Sequence, residues 1–388
     1  MVSNYFKERI YLIVLTLLIS CSEEREWAAV EEVPGSSRLS ELLRDDATSG
    51  FPRAIEPRTF SFPADHGPHR EYRNEWWYLT GNLDGPGGER FGYELTIFRF
   101  ALSPSPPAGS ESTWKTNQVY IGHFAVTDVP GSEFHVAQRY SRAHPGLAGA
   151  SADPFRVWID DWQIAAAGDA ESWRLEAGQG DFALSLTLKP RKEPVLNGVD
   201  GLSRKSAEIG NASYYYSIPR LESAGTLVLG DREYEVTGTS WLDREWGSSA
   251  LAADQQGWDW FALQLSDGTD LMYYQIRGTD GQVDQQTAGT RIAADGSYEY
   301  LRYGDVSLVV TGSWESELGG TYPAGWTIEI PSENTSLTVV PVLENQELVT
   351  NVRYWEGAVD VTGTSSGRSV TGRGYVELTG YASVGPEQ

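Results

Sequence analysis

The chain has a single cysteine, Cys21, in 388 residues, with two methionines and five histidines. One cysteine leaves no partner for an internal disulfide, so the body must be held together by its cores, which a chain of this length can build. Positive charge is also scarce. There are 30 Lys and Arg against 54 Asp and Glu, for a net charge of −24. So acidic a chain argues against nucleic acid as a partner and against electrostatic adhesion to anionic lipid. Beyond the first twenty residues no apolar run is long enough to cross a bilayer as a helix. No serine stands in a recognisable nucleophile elbow with a histidine and an acid, so a hydrolase gains no support.

The N-terminus is laid out as a secretory signal. Lys7 and Arg9 precede an apolar run from Ile10 to Ile19, the length of a signal core and too short to span a membrane. The run ends in Leu18-Ile19-Ser20-Cys21, which looks like a bacterial lipobox. The expectation is that residues 1–20 are a lipoprotein signal peptide and that Cys21 carries lipid. Several acyl chains anchor where one does not, at about 0.8 kcal/mol per buried methylene. Residues 21–57 read as a polar tether. Ser22 after the cysteine favours the outer membrane, facing the periplasm, if the cell is Gram-negative.

Fourteen Trp and twenty Tyr are many, and suit a large β core or an apolar ligand cavity. From residue 75 onward the chain reads as short strands between Gly, Asn, Asp and Pro turns. Phe91, Tyr93, Leu95 and Ile97 alternate with small or polar residues, as do Phe182, Leu184, Leu186 and Leu188. Period two marks half-buried antiparallel strands. Asn82–Gly88, Ser266–Gly268 and Ala294–Gly296 read as hairpin turns. An all-β body of sandwiches or barrels follows. A charged turn near Asp231–Gly238 sets the expected boundary, with domains over 58–237 and 238–388.

Four segments carry most of the rare side chains. They are Asp65-His66-Gly67-Pro68-His69 with Glu75-Trp76-Trp77-Tyr78; Tyr214 to Leu221; Trp241 to Gly247 with Gly257 to Phe261; and Tyr354 to Ala358 with Gly372 to Gly380. In this order they resemble the family of the carotenoid 1,2-hydratases (hydroxyneurosporene synthases) and the AttH proteins, over about Asp65 to Tyr381. The resemblance implies two consecutive lipocalin-like antiparallel β-barrels packed together. It also implies cofactor-free addition of water to a C=C bond of an apolar substrate, isoprenoid-like or lipid. Such chemistry needs a carboxyl kept protonated near neutral pH, which burial among aromatics provides. Aromatic faces can stabilise a developing cation.

Asp243, Glu245 and Asp259 lie beside Trp and are the candidate acids, with Arg244 among them. Structural pairing with Arg244, Arg277 or Arg220 is the plainer alternative for each. Hydratases of this family carry His two residues before the Trp of the third segment, where Arg244 stands here. They carry an acid in the next strand, where Gln275 stands. Arg cannot shuttle protons as His can. The candidate ligand-binding set is His66, His69, Glu75, Trp76, Trp77, Trp246, Trp258, Trp260, Tyr273 and Gln275. Asp65, His66 and His69 could ligate a metal, but the Gly-Pro between the histidines marks a turn, and a loop capping the first barrel is the preferred reading. His123 reads as a core or cavity-wall histidine. The alternative to an enzyme is a non-catalytic carrier of a lipid or apolar molecule working with an ABC-type export system. The seam where Asp65–Tyr78 could meet Trp241–Phe261 is the expected place of the site.

Overall fold

A computed structural model describes residues 37–38, 49–105, 114–168, 172–248 and 251–382. The expected signal peptide, Cys21 and most of the expected tether lie outside the described residues. Two antiparallel sheets make up nearly all of the rest, and the helices among the described residues are two single 3-10 turns, Ala64–His66 and Pro331–Glu333.

The first sheet runs in spatial order Glu133–Arg142, Gln118–Asp128, Arg90–Ala101, Asn74–Asp84, Arg232–Gly247, Ala212–Leu229, Phe182–Pro190, Trp173–Gln179, Trp162–Ala166, Phe155–Ile159 and Ala148–Ala152. Its two edge strands follow one another in the chain, and a bridge between His144 and Ala148 lies between them. The sheet therefore curls into a nearly closed barrel. Arg139 helps to fasten it, donating to the Gly178 carbonyl and lying 4.4 Å from the Trp162 ring centre. The second sheet runs Tyr298–Leu301, Ala288–Ile292, Asp270–Gly278, Gln255–Leu265, Arg368–Leu378, Val352–Ser365, Thr335–Pro341, Trp326–Ile330 and Ser307–Val310. It curls about a core of its own.

The alternation read from the sequence decides which side chains fill each core. Phe91, Tyr93, Leu95, Ile97, Leu184, Leu186 and Leu188 all point into the first core. Phe261, Leu263, Trp326, Trp355 and Val376 fill the second. The three expected hairpin turns are where the sequence places them, for example Gly85 N–H to Glu89 C=O and Leu265 N–H to Thr269 C=O.

The expected boundary at 237/238 falls inside one strand. Arg232–Gly247 runs through it, pairing with Ala212–Leu229 on both sides of a register shift at Ile218/Leu221 and, from Thr237 onward, with Asn74–Asp84. Asp231 is only the turn of that long hairpin. The chain leaves the first sheet after Gly247 and enters the second at Gln255. The change of composition seen at Trp241 is a change of what the strand faces.

Opposite parity on the same strands presents a second face. Outward residues of the first barrel pack against outward residues of the second, forming a further apolar cluster that includes Tyr78, Tyr215, Trp241, Trp260, Met272, Tyr274, Ala358 and Tyr375. The backbones come close here: a Cβ on Gly92 would lie 2.6 Å from that of Ala358. Polar cross-links border the contact. Asn82 donates to the Gly374 carbonyl at 3.0 Å, and Gln264 to the Pro219 carbonyl at 2.7 Å. His123, buried, meets the Tyr354 hydroxyl at 2.6 Å across the same seam.

Candidate active site

The seam is not filled throughout. Between the barrels lies a cleft, partly open to solvent, lined by Trp76, Tyr78, Phe98, Lys205, Tyr215, Asp243, Glu245, Leu251, Trp258, Trp260, Tyr274, Ile276, Glu356 and Glu377. Strand parity puts these side chains together. Trp76 and Tyr78 alternate with the core residues Trp77 and Leu79, Asp243 and Glu245 with Leu242 and Trp246, and Glu377 with Val376 and Leu378. The walls are mostly aromatic, and the polar groups are mostly carboxyls.

Asp243 is buried and receives three donors. The Tyr215 hydroxyl bonds Oδ2; the Ser217 hydroxyl and the Trp241 indole N–H, at 2.5 and 2.7 Å, bond Oδ1. The donors are held in that role. Asn197 donates to the Ser217 oxygen at 2.8 Å and Trp260 donates to the Tyr215 oxygen at 3.1 Å, so both hydroxyl protons are left for Asp243. No cation among the described residues pairs with Asp243. Burial raises its carboxyl to about 7, against the pull of those hydrogen bonds. Glu245, two residues on, accepts from Ser213 and pairs with Lys205 at 2.8 Å. Lys205 itself sits over the rings of Tyr215 and Tyr274.

The opposite wall carries Glu356 and Glu377. They face one another on adjacent strands of the second barrel. Burial pushes Glu377 up to about 8, and the charges of Asp243 and Glu245 add to this while a Trp258 hydrogen bond opposes it. Glu356 is buried, takes the Tyr78 hydroxyl at 2.8 Å on one oxygen and has no partner on the other.

The other sequence candidates face elsewhere. Arg244 points into the first barrel, with its guanidinium 3.8 Å from the Trp77 ring centre and an ion pair to Glu75 at 2.5 Å. Glu75 also pairs with Arg99, and the two cations outweigh burial and hold it well below the usual carboxylate range. His69 stacks on Trp246 at 3.7 Å and bonds Asp65 at 3.0 Å. His66 bonds Tyr216 at 2.7 Å, and burial with nearby Arg244 lowers it to about 4. These groups stopper the first barrel from within rather than line a ligand cleft. Asp259 and Gln275 are cross-strand partners on the inner side of the second sheet, and Tyr273 is in its core. Asp259 is held by Arg277 and Tyr381, both at 3.0 Å. Of the fourteen sequence candidates, Asp243, Glu245, Trp76, Trp258 and Trp260 meet at the cleft.

Tyr78, Lys205, Tyr215, Glu356 and Glu377 are the polar lining that sequence reasoning did not single out. The available signal was parity, a polar residue on the outward side of a strand whose inward side is apolar. The pentapeptide Gly363-Thr364-Ser365-Ser366-Gly367 has the G-x-S-x-G spacing, but it forms the turn between Val352–Ser365 and Arg368–Leu378. A hairpin turn is not the strand-to-helix elbow that the motif denotes.

A family model described as AttH-like matches residues 53–381. Among solved structures, a protein of Nitrosomonas europaea assigned to AttH is 34% identical, with a TM-score of 0.76, over 86% of this chain and all of that one. Kievitone hydratase of Nectria haematococca shares the fold at 17% identity, with a TM-score of 0.65, over 86% of this chain and 99% of its own. A curated relative, Dehydratase asqC of Emericella nidulans, is 24% identical over 221 residues, 53% of this chain. The match spans 60% of that dehydratase.

Proposed function

The chain belongs to the AttH-like family, and on that premise we propose that it is an enzyme that adds water to, or removes it from, an apolar substrate bound in the cleft between its barrels. The observation that carries this is Asp243, a buried carboxyl in an aromatic cleft, without a cationic partner and poised at about 7. A group poised there can take a proton in one half of a reaction and return it in the other. During addition a proton reaches one carbon of the double bond, the water oxygen bonds to the other, and Asp243 accepts the proton that the water releases. Trp76, Trp258 and Trp260 supply faces that stabilise positive charge developing on the substrate. Removal of water is the same path reversed. The names of two relatives, a hydratase and a dehydratase, agree with chemistry that runs either way.

A carrier would be favoured by a cleft whose carboxyls were all neutralised by cations. Only Glu245 has such a partner among the described residues. The placement of this chemistry on a lipid anchor at Cys21, at the envelope and facing apolar molecules in the membrane, belongs to the same proposal and rests on Leu18-Ile19-Ser20-Cys21.

The test uses the purified chain with two probes, kievitone and an acyclic carotenoid in detergent, in water labelled with heavy oxygen. Mass spectrometry should show label entering or leaving one probe, and Asp243→Asn should slow this by about 10²–10⁴-fold. Quenching of cleft tryptophan fluorescence reports binding independently. Probes that bind and never exchange water, or an Asp243→Asn variant of unchanged rate, overturn the reading.

A further inference from the structure

The acidic groups of the seam extend behind the cleft wall. Glu94 lies on the outward side of Arg90–Ala101, wholly buried, and neither of its oxygens makes a well-formed hydrogen bond. Across the seam Glu356 is equally buried, with one oxygen bonded to Tyr78 and one free of partners. Glu377 stands directly opposite Glu356 in the register of Val352–Ser365 and Arg368–Leu378, and is partly exposed on the cleft wall. Directly opposed residues on an antiparallel pair have Cβ atoms roughly 5 Å apart, so like charges there repel strongly. The single cation of the cleft lining, Lys205, is engaged by Glu245 on the other wall. Two fully buried carboxyls and a third directly beside one of them, with no counter-ion among the described residues, cannot all be ionised.

We infer that Glu377, backed by Glu356 and Glu94, is the proton donor of this site, and that the three hold protons in common across the seam. The inference rests on the hydration reading for its catalytic half; the protonated cluster stands without it. Glu377 is the member that substrate can reach. Glu356 and Glu94 are positioning residues that stay neutral behind Glu377; burial raises them, and the charge of an ionised Glu377 raises them further. Burial pushes all three upward, Glu377 to about 8 and the others well above the usual range, in agreement with the geometry. The step balances as follows. The Glu377 proton goes to one carbon of the double bond, the water oxygen bonds to the other, and the proton released by water goes to Asp243. One water is consumed, and exchange with solvent returns Asp243 and Glu377 to their starting states.

Two measurements test this on the whole chain. Infrared spectra at pH 7, without substrate, should show the carbonyl band of buried protonated carboxyls, reduced in Glu377→Gln and in Glu356→Gln. No such band, or a band that neither substitution changes, overturns the cluster whatever the enzyme does. The second is the pH profile of water exchange. The rate should climb as Asp243 loses its proton near 7 and fall as Glu377 loses its proton near 8. Glu377→Gln should lose about 10²–10⁴-fold in kcat with little change in probe binding. Glu356→Gln should retain more activity and leave the alkaline limb near 8, because Glu356 is already neutral when Glu377 ionises. A Glu377→Gln enzyme with the wild-type rate and profile overturns the donor assignment and leaves the hydration reading intact.

Discussion

A single residue shows how far local pattern can mislead about chemistry. Asp243, Arg244 and Glu245 are consecutive, and all three are charged beside tryptophan. In a strand, neighbours point to opposite faces, so Arg244 is inside the first barrel while Asp243 and Glu245 look into the seam. Arg244 neutralises Glu75 and covers Trp77. Replacing it by Met leaves Glu75 buried with one cation fewer. Removal of one partner from a buried pair costs about 3–5 kcal/mol. Urea unfolding of Arg244→Met should show a loss of that size, with probe binding retained in the protein that remains folded. A catalytic Arg244 would instead leave stability alone and remove turnover.

Elements explain why the cleft exists. Several strands of each barrel give their outward faces to the seam, and small residues let them approach. Gly92 against Ala358 is one such place. Gly92→Ala puts two Cβ atoms 2.6 Å apart and must push the sheets apart. The expected cost is about 1–3 kcal/mol, as for other overpacked contacts. Thermal unfolding should show it, and Ala358→Gly in the same chain should restore most of it by removing the opposed methyl. Failure of that rescue would mean the barrels do not meet as described. Alternation along Arg90–Ala101 and Phe182–Pro190 was legible in the sequence because period two needs only local information. The end of the first sheet was not, since Arg232–Gly247 changes what it faces while its pairing with Asn74–Asp84 runs on unbroken and that with Ala212–Leu229 only shifts register between Ile218 and Leu221.

Over the whole molecule, the anchor and the body answer to different information. Cys21→Ser should move the protein from the membrane fraction to the soluble fraction of cells, and should abolish incorporation of labelled fatty acid. An unchanged membrane fraction would remove the lipid anchor from the proposal. That expectation rests on a short linear pattern, which chain folding does not alter. The all-β class and the hairpin turns were likewise fixed by alternation and by glycine at turns. The aromatic segments of the sequence also contain residues that line the cleft, Trp76, Tyr78, Trp258 and Trp260. Only the tertiary structure decided that the barrel interiors are packed and that the cleft lies between them. It alone paired Glu356 with Glu377, set Glu94 behind them and left them without a cation. Charge state depends on what surrounds a carboxyl in three dimensions, and Glu94 comes from a strand more than 250 residues before the hairpin that carries Glu356 and Glu377. Composition records how many carboxyls the chain has; burial and the distance to the nearest cation determine which of them keep a proton.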